Sequence, residues 1–260
     1  MQTQIAFFLS MLLGSVLAVA PGHNQARTTD SGEITEQINK TITLAPGSNV
    51  RVSIISGDIN VDTWDSDSAE INITIKASDT AAMEREPIIV ENTPNSLTIR
   101  VEEDKEGRRR GRDRGYVNHN VRLKLPKSVN LKVASVNGGI DVGAITGEVT
   151  ASTVNGGIAI AQAGTATQLN SVNGSISISL LRLTESGLRV NTVNGGVKIG
   201  LPSETGAEIN FHSVNGSVNS DLPITVIGEV KQGQLRGRVG DGGPTITINS
   251  VNGGVTLRRN

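Results

Sequence analysis

The feature that most constrains the fold of this chain is a short motif that recurs through its C-terminal half. The motif reads Ser/Thr-Val-Asn-Gly-Gly/Ser-Ile/Val, and its six copies contain Asn137, Asn155, Asn173, Asn194, Asn215 and Asn252. Successive asparagines are 18, 18, 21, 21 and 37 residues apart. A nearly constant period of this length is typical of solenoids, in which each repeat packs on its neighbours. Because the last interval is about twice the others, we expect one degenerate coil near residues 230–239.

Apolar residues recur in register with the motif. If the valine before the asparagine is position 0, then positions −3, 0, +4 and +6 are apolar, as at Val133, Val136, Ile140 and Val142. The fifth copy departs from this pattern, with Ser220 at +6. A degenerate copy lies upstream around Ser56-Gly57-Asp58, with Val52, Ile55, Ile59 and Val61. We therefore expect position 0 to face the core, with Val154 and Val172 buried in adjacent central coils.

The period and the composition together define the fold class. Each coil would carry two short strands, and Asn-Gly would turn the corner between them because these residues enter positive φ most easily. Aromatic residues are only 2% of the chain, so Val, Ile and Leu must fill the core. We predict an all-β, single-stranded parallel β-solenoid (β-helix) with coils of 18–21 residues. A left-handed hexapeptide helix is disfavoured because its apolar residues recur every six positions, whereas here the spacing alternates between five and four at Ile140, Ile145, Val149 and Val154.

The region before the repeats is also rich in predicted strands but is less regular. Ile71, Ile73 and Ile75 alternate with polar residues, which indicates a half-buried strand. Asn92-Thr93-Pro94-Asn95 separates two further strands and is typical of a hairpin. Because the degenerate copy lies inside this region, we interpret residues 35–126 as a β-rich N-terminal cap of the solenoid at residues 127–260. An independent N-terminal domain is the alternative.

The first residues have the features of an export signal. An apolar run at residues 5–20 precedes a polar stretch, and small residues at Ala18 and Ala20 suit a signal peptidase. The n-region has no Lys or Arg, and Pro21 disfavours cleavage after Ala20. We predict a signal peptide at residues 1–22, cleaved after Ala18, Ala20 or Gly22, and a linker at residues 23–34. An uncleaved anchor is the alternative, although this run of 16 residues falls short of the roughly 20 that span a bilayer.

The residue types that carry most catalytic and metal chemistry are sparse or scattered. The chain has no Cys, which excludes disulfides, thiolate catalysis and a lipid-modified cysteine. Its three His residues lack metal-ligand spacing, and no Gly-x-Ser-x-Gly motif is present. Asp141 has no acidic counterpart in the following coils, where the equivalent residues are Ala159, Ser177, Lys198 and Asn219. We therefore predict no catalytic residue, no metal and no cofactor; a polysaccharide-active β-helix enzyme is the least favoured alternative.

The charge of the chain limits the class of partner. Its formal net charge is −1, which gives no general attraction to nucleic acid or to anionic membranes. Residues 102–114 hold six cationic and five anionic side chains without an aromatic residue, which is typical of a solvated loop. We expect an envelope protein or a glycan as partner, no nucleic acid, and no transmembrane span in the mature chain.

The repeated asparagines suggest a structural role. Turn preference alone would admit Gly or Asp at this position, yet all six copies have Asn. We expect Asn137, Asn155, Asn173, Asn194, Asn215 and Asn252 to form a ladder in which each side-chain amide binds the next coil. This row would be structural and would not bind a ligand. Asn252 would occupy the terminal coil and would contribute less than Asn173.

Further segments accompany the repeats. They are Asp62-Thr63-Trp64-Asp65-Ser66-Asp67, the strands at residues 70–77 and 121–126, and the closing segment at residues 235–243. Together with the VNGG-type repeats, they resemble the bacterial putative-adhesin family of β-strand repeats, a family of unknown function. The resemblance implies a β-solenoid fold, an envelope or extracellular location and no catalytic residues, and some relatives accompany envelope-stress systems.

Two hypotheses about function follow. The first is an exported, non-enzymatic, adhesin-like module in the periplasm, on the cell surface or outside the cell. The second is an envelope-stress-linked accessory or scaffold protein. The outward residues of the repeats are mostly Ser, Thr, Asn and Gly, which fits both hypotheses.

Overall fold

The structure of the protein is a computed structural model that describes residues 28–30, 33–102, 115–228 and 232–260. The predicted signal peptide and the charged segment at residues 103–114 lie outside the described residues. Within the described ranges, no helix is long and apolar enough to cross a membrane.

Nearly all of the regular structure is β-strand, which confirms the all-β class. The helix α1 (Thr80–Arg85) is a single short segment capped by Asp79, whose Oδ1 accepts a hydrogen bond from the Ala82 N–H at 2.7 Å. The strands before the repeats are β1 (Thr28–Asp30), β2 (Glu33–Thr43), β3 (Asn49–Ser53), β4 (Ile59–Trp64), β5 (Ser68–Ala77), β6 (Ile88–Thr93), β7 (Ser96–Val101) and β8 (Val117–Pro126). The strands of the repeat region are β9 (Asn130–Asn137), β10 (Ile140–Asn155), β11 (Ile158–Asn173), β12 (Ile176–Leu180), β13 (Leu188–Asn194), β14 (Val197–Leu201), β15 (Ala207–Asn215), β16 (Val218–Ser220), β17 (Ile224–Val226), β18 (Gln234–Val239), β19 (Thr245–Asn252) and β20 (Val255–Arg259).

The strand pairings form two series, which we call face 1 and face 2. Face 1 runs through β1, β2, β5, β8, β4, the first halves of β10 and β11, β12, β14, β20 and β16. Face 2 runs through β6, β7, β3, β9, the second halves of β10 and β11, β13, β19, β15, β18 and β17. The chain passes repeatedly from one face to the other, which makes the fold β-solenoid-like.

The core consists of aliphatic columns between the two faces. Parallel register places like residues on one another, so that Ile140 pairs with Ile158, Ile158 with Ile176, and Ile176 with Val197. Each of these side chains is at most 2% exposed. The upstream degenerate copy belongs to the same column, because Ile59 pairs with Ile140. Stacking of equivalent aliphatic residues therefore removes apolar surface from water along the whole length of the stack.

Position 0 of the repeat is exposed, so the prediction that Val154 and Val172 are buried is wrong. Val154 is 39% exposed and Val172 is 38% exposed. Alternate residues of a strand point to opposite sides, so positions −3 and 0 cannot both face the core. The inward positions are −3 and −1, since Leu169 is fully buried and Ser171 is 2% exposed. The Asn-Gly corner then resets the alternation, which keeps position +4 inward at Ile176.

Position −1 is a buried hydroxyl in five of the copies: Ser135, Thr153, Ser171, Thr192 and Ser250. Thr153 Oγ1 donates to the carbonyl of Gly138 at 3.0 Å, and Ser171 Oγ donates to the carbonyl of Gly156 at 3.0 Å. A buried carbonyl at the corner needs a donor, and a small hydroxyl supplies one in the adjacent coil. Ser135 makes the same kind of contact, with Oγ donating to the carbonyl of Gly57 at 3.3 Å, so the contact accounts for the hydroxyl in three copies. Ser250 Oγ donates within its own coil to the carbonyl of Gly253, and the hydroxyls of Thr192 and Ser213 have no hydrogen-bond partner among the described residues.

The order of the coils in the stack differs from their order in the chain. β13 pairs with β19 and β19 pairs with β15, all in parallel, and β20 lies between β14 and β16 in the same way. The sixth motif copy is therefore inserted between the fourth and the fifth. The prediction that Asn252 occupies the terminal coil is wrong, because Asn215 holds that position.

The expected degenerate coil near residues 230–239 is also wrong. β18 pairs antiparallel with β15, which places Leu235 opposite Phe211, and β17 pairs antiparallel with β18, which places Thr225 opposite Arg238. These two strands cover the end of face 2. The antiparallel return lets the chain reverse direction before β19 enters the gap between β13 and β15.

Candidate functional site

The repeated asparagines lie in one row at a corner of the stack. Each asparagine Nδ2 donates a hydrogen bond to the Oδ1 of the preceding asparagine in the stack. The N···O distances are 2.8 Å for Asn155 to Asn137 and for Asn173 to Asn155, 2.9 Å for Asn194 to Asn173 and for Asn252 to Asn194, and 3.0 Å for Asn215 to Asn252. We call this row the asparagine ladder. A second, shorter ladder joins Asn170, Asn191 and Asn249 on face 2. Sequence reasoning missed it, although Asn at position −2 in three copies was a visible signal.

We predict that the asparagine ladder contributes to stability according to position in the stack. Replacing Asn173 or Asn252 by Gly keeps the freedom of the corner backbone but removes a side chain that both donates and accepts. We expect each replacement to lower the free energy of unfolding by about 1–3 kcal/mol. Asn215→Gly should cost less, because Asn215 has a single partner. Denaturant unfolding measures all three, and equal, negligible losses would leave turn preference as the only reason for Asn.

A polar concavity lies on face 1, across β2, β5, β8 and the start of β4. It has a volume of about 540 Å³ and is lined by five side-chain amides, one hydroxyl, one guanidinium and one carboxylate: Gln37, Asn39, Asn60, Asn72, Asn120, Thr74, Arg122 and Asp58. Strand register sets the neighbours, since Asn39 pairs with Asn72, Asn72 with Arg122, and Arg122 with Asn60. The result is an outward row of amides with one guanidinium inside it.

A second concavity adjoins the first and shares Asn60 and Arg122 with it. Its volume is about 530 Å³, and it extends over β10, β11 and β12. Its outward side chains are small or acidic: Gly143, Ala159, Ala161, Ser177, Asp62 and Asp141. These small side chains do not cover the backbone of the strands, so an extended ligand could lie close to it. We call the two concavities together the polar groove.

Hydrogen bonds and charge differ along the polar groove. Asp58 Oδ1 accepts from the Gly139 N–H at 2.8 Å, and Asn120 Oδ1 accepts from the Asp58 N–H at 3.1 Å, so both side chains are held in place. Arg122 is exposed and forms no ion pair with any residue in the described ranges. Its guanidinium is therefore available to a ligand, while Asp58, Asp62 and Asp141 make the groove acidic as a whole.

Sequence reasoning did not find the polar groove because its residues come from strands that are far apart in the chain. Asn39, Asn72 and Asn60 become neighbours only through the pairing of β2, β5, β8 and β4. One signal was present: in these strands Asn alternates with aliphatic residues, which predicts an outward amide but not its neighbours.

Among the described residues, the titratable side chains with metal-binding potential do not converge. Within the part of the chain that the structure describes, no group of three or more His, Asp or Glu residues is placed to hold a metal ion. His212 lies on β15 and is exposed.

His119 is buried in the N-terminal region, unlike His212. It lies on β8 with no exposed surface, and its Nε2 is 3.0 Å from the carbonyl of Glu86. Its Nδ1 is buried without a hydrogen-bond partner among the described residues. Burial lowers the pKa of His119 below its usual value of 6.5, and the bond to Glu86 opposes this only in part. The neutral ring is therefore favoured in the folded state.

We predict that His119 makes the protein less stable in mild acid. Below pH 6.5 the unfolded chain binds a proton at this residue that the folded chain resists, so stability falls as the pH decreases from 6.5 towards the folded-state pKa. Above pH 6.5 the contribution is complete and independent of pH. Denaturant unfolding between pH 5 and 8 measures the slope. His119→Gln should flatten it relative to wild type, while His212→Gln, at an exposed site, should leave it unchanged; the same slope in all three proteins would contradict the assignment.

The fold and the surface together define an all-β repeat protein of β-solenoid type with an exposed polar groove. Residues 130–258, which hold most of the repeat region, match the model of the Toastrack DUF4097 family. This match agrees with the resemblance to a putative-adhesin family of unknown function that the repeats indicated. No curated protein matches the chain.

The solved structures that match the chain are distant from it in sequence. A putative cell adhesion protein from Clostridium sporogenes is 13% identical, with 86% of this chain and 100% of that chain covered and a TM-score of 0.45. A putative adhesin from Bacteroides fragilis is 11% identical, with coverages of 86% and 97% and a TM-score of 0.34. A putative lipid binding protein from Parabacteroides distasonis is 11% identical, with coverages of 86% and 96% and a TM-score of 0.31. Similarities of this size carry no argument about what the present chain binds.

Proposed function

We propose that this chain is a non-enzymatic, adhesin-like binding module of the cell envelope and that its polar groove binds a neutral glycan. The observation that carries the proposal is the row of outward amides around Arg122 on face 1. Each Asn or Gln amide offers both donors and an acceptor, which is the complement of a sugar hydroxyl. The proposal therefore assigns the ligand by hydrogen-bonding chemistry.

The shape and charge of the polar groove support an extended, uncharged polymer. The groove crosses successive strands, which lie about 4.8 Å apart, so across β2, β5, β8 and β4 a chain of sugar rings can meet a new amide at each step. Its lining holds one guanidinium and the three carboxylates of Asp58, Asp62 and Asp141, so an acidic polymer would be repelled. The small floor at Gly143, Ala159 and Ala161 leaves room for the rings.

A glycan array followed by calorimetry of the strongest neutral ligand tests the proposal. Arg122→Gln removes a charged donor from the groove and should weaken binding about 10-fold or more. Lys198→Gln is the matched control, because Lys198 pairs with Ser177 on the same outward row but lies outside the groove lining. We expect it to bind like wild type. Binding of acidic glycans only, or equal losses in both variants, would contradict the proposal, and shortening of the bound glycan would identify an enzyme.

The proposal also covers the organisation of the chain. We propose that coils of 18–21 residues are the structural unit of residues 127–260, and that residues 35–126 are their cap. The pairing of β3 with β9 and of β4 with β10 supports this, because it continues the stack into the N-terminal region without a break.

Export is the remaining part of the proposal. If residues 1–22 are removed by a signal peptidase, the mature protein should begin between Val19 and His23 and should be found outside the cytoplasm. N-terminal sequencing of the protein from fractionated cells measures this directly. Recovery of Met1 from a membrane pellet would establish an uncleaved anchor instead.

A further inference from the structure

The outward valines of face 2 form a continuous apolar row. Position 0 of every motif copy is at least 37% exposed, and in stack order the residues are Val136, Val154, Val172, Val193, Val251 and Val214. The residues on either side of each valine pair in register between neighbouring strands, as Thr153 with Ser135 and Asn155 with Asn137 between β10 and β9. Each valine therefore lies beside the valine of the next strand. Ten large hydrophobic side chains are exposed in the described chain, and six of them are in this valine row.

Folding alone does not account for the valine row. Thr has the same shape as Val, also favours strands, and is better solvated at an exposed position. The motif uses Ser or Thr at the neighbouring position −1, where the side chain is buried in five of the six copies, and Val at position 0 in all six copies. An apolar residue repeated on the exposed side of a stack indicates a surface that is covered by a partner.

The rows on either side of the valine row carry no charge. The asparagine ladder lies on one side, and position −2 lies on the other, with Ala134, Ser152, Asn170, Asn191, Asn249 and His212. The three rows contain no Asp, Glu, Lys or Arg, so a partner with the same three rows would bring none of these charged side chains into the contact. A narrow seam of β-branched residues bordered by amide ladders is the composition that pairs β-sheets face to face in a dry interface.

We propose that the valine row is a self-association surface, occupied by the valine row of a second copy of this chain. Contacts that repeat at every strand require a partner with the same spacing of about 4.8 Å, and this chain's own row has that spacing. A two-fold axis perpendicular to the row aligns the two rows in opposite directions and lets each valine pack between two valines of the other copy. The dimer is independent of the glycan proposal, because the groove is on face 1.

The size of the surface sets the expected affinity. The row crosses five strand spacings, which is about 24 Å. Three rows of this length present on the order of 400 Å² per protomer, about half of the roughly 800 Å² per partner in a standard interface. We therefore expect a weak, reversible dimer that forms at high micromolar concentration.

Sedimentation velocity of the full mature chain over a concentration series from roughly 10 μM to 1 mM tests this, since weak interfaces of this size dissociate in that range. Val172→Lys places a charge from each copy near the two-fold axis and should raise the dimer Kd at least 10-fold. Gln168→Lys is the matched control: it is exposed on the same strand, β11, but lies outside the three rows, so its Kd should equal that of wild type. Circular dichroism and melting of both variants verify folding.

Three results would overturn the proposal. The first is a wild-type protein that remains monomeric at 1 mM, which would leave the row to a different partner. The second is a dimer weakened equally by Val172→Lys and Gln168→Lys. The third is a dimer that Val172→Lys does not weaken. Loss of glycan binding by Arg122→Gln with an unchanged dimer would separate the two surfaces.

Discussion

Leu169→Asp should abolish cooperative folding, whereas Val172→Asp, three residues further along the same strand, should be tolerated. Leu169 is fully buried and is stacked between Ala151 and Val190 in the adjacent coils. A carboxylate at this position would lose its hydration without gaining a partner. We expect the free energy of unfolding to fall by about 4 kcal/mol or more, out of the roughly 5–15 kcal/mol that stabilise an ordinary domain.

Val172→Asp is the matched control, because it introduces the same charge on the same strand, β11. Its side chain is 38% exposed, so the carboxylate can remain hydrated, and we expect a change within about 1 kcal/mol. Denaturant unfolding monitored by far-ultraviolet circular dichroism distinguishes the two variants. If Val172→Asp unfolds the protein and Leu169→Asp does not, the inward side of β11 is the reverse of the one described.

Gly195→Ala should destabilise the protein strongly, while Gly196→Ala, at the next residue of the same corner, should have little effect. A Cβ on Gly195 would lie well under 3.0 Å from the carbonyl oxygen of Gly174 in the neighbouring coil. The nearest atom to a Cβ on Gly196 is the carbonyl oxygen of Gly254 at 3.5 Å, an ordinary contact. Neither residue has a left-handed backbone, so the difference is one of space alone.

The cost of Gly195→Ala follows from the hydrogen bonds that hold the corner. The Gly195 N–H donates to the Asn252 carbonyl at 3.0 Å, and the Gly174 N–H donates to the Asn194 carbonyl at 2.9 Å. Moving the two coils apart to fit a methyl group stretches these bonds. We expect a loss of about 1–3 kcal/mol, or a decrease in Tm of several degrees, measured by calorimetry. Equal melting temperatures for both alanine variants would show that the corner has room.

The same contact explains a regularity within the motif. The first Gly is present in all six copies, and in each a Cβ would lie under 3.0 Å from the carbonyl of the facing glycine: Gly138, Gly156, Gly174, Gly195, Gly216 and Gly253. The second Gly is replaced by Ser175 and Ser217 in two copies. Backbone conformation separates the two positions only in part, because φ is positive at Gly138, Gly174 and Gly253 but not at Gly156 or Gly195. Close approach of one corner to the next distinguishes them.

The sequence determined the class of fold because the period and the aliphatic pattern are local properties of the chain. The motif interval fixed which residues pair, as Ile140 with Ile158, and the scarcity of aromatic residues required an aliphatic core. The motif asparagines do hydrogen-bond to one another through their side chains. The prediction that position 0 faces the core was wrong. Side chains alternate between the two sides of a strand, so Val133 and Val136, three residues apart, cannot both face the core, and the sequence was enough to show this.

Only the tertiary structure decided which elements become neighbours at the two ends of the stack. The copy around Asn252 is the last one in the chain, but β19 lies between β13 and β15 in the stack. A strand in that position can pair along both of its edges, whereas a strand at the end of the stack can pair along only one. The polar groove depends on the same kind of information, because Asn72 and Asn60 flank Arg122 only after distant strands have paired. A repeat records its own period, whereas pairing between non-consecutive strands depends on which strand edges the rest of the fold leaves unpaired.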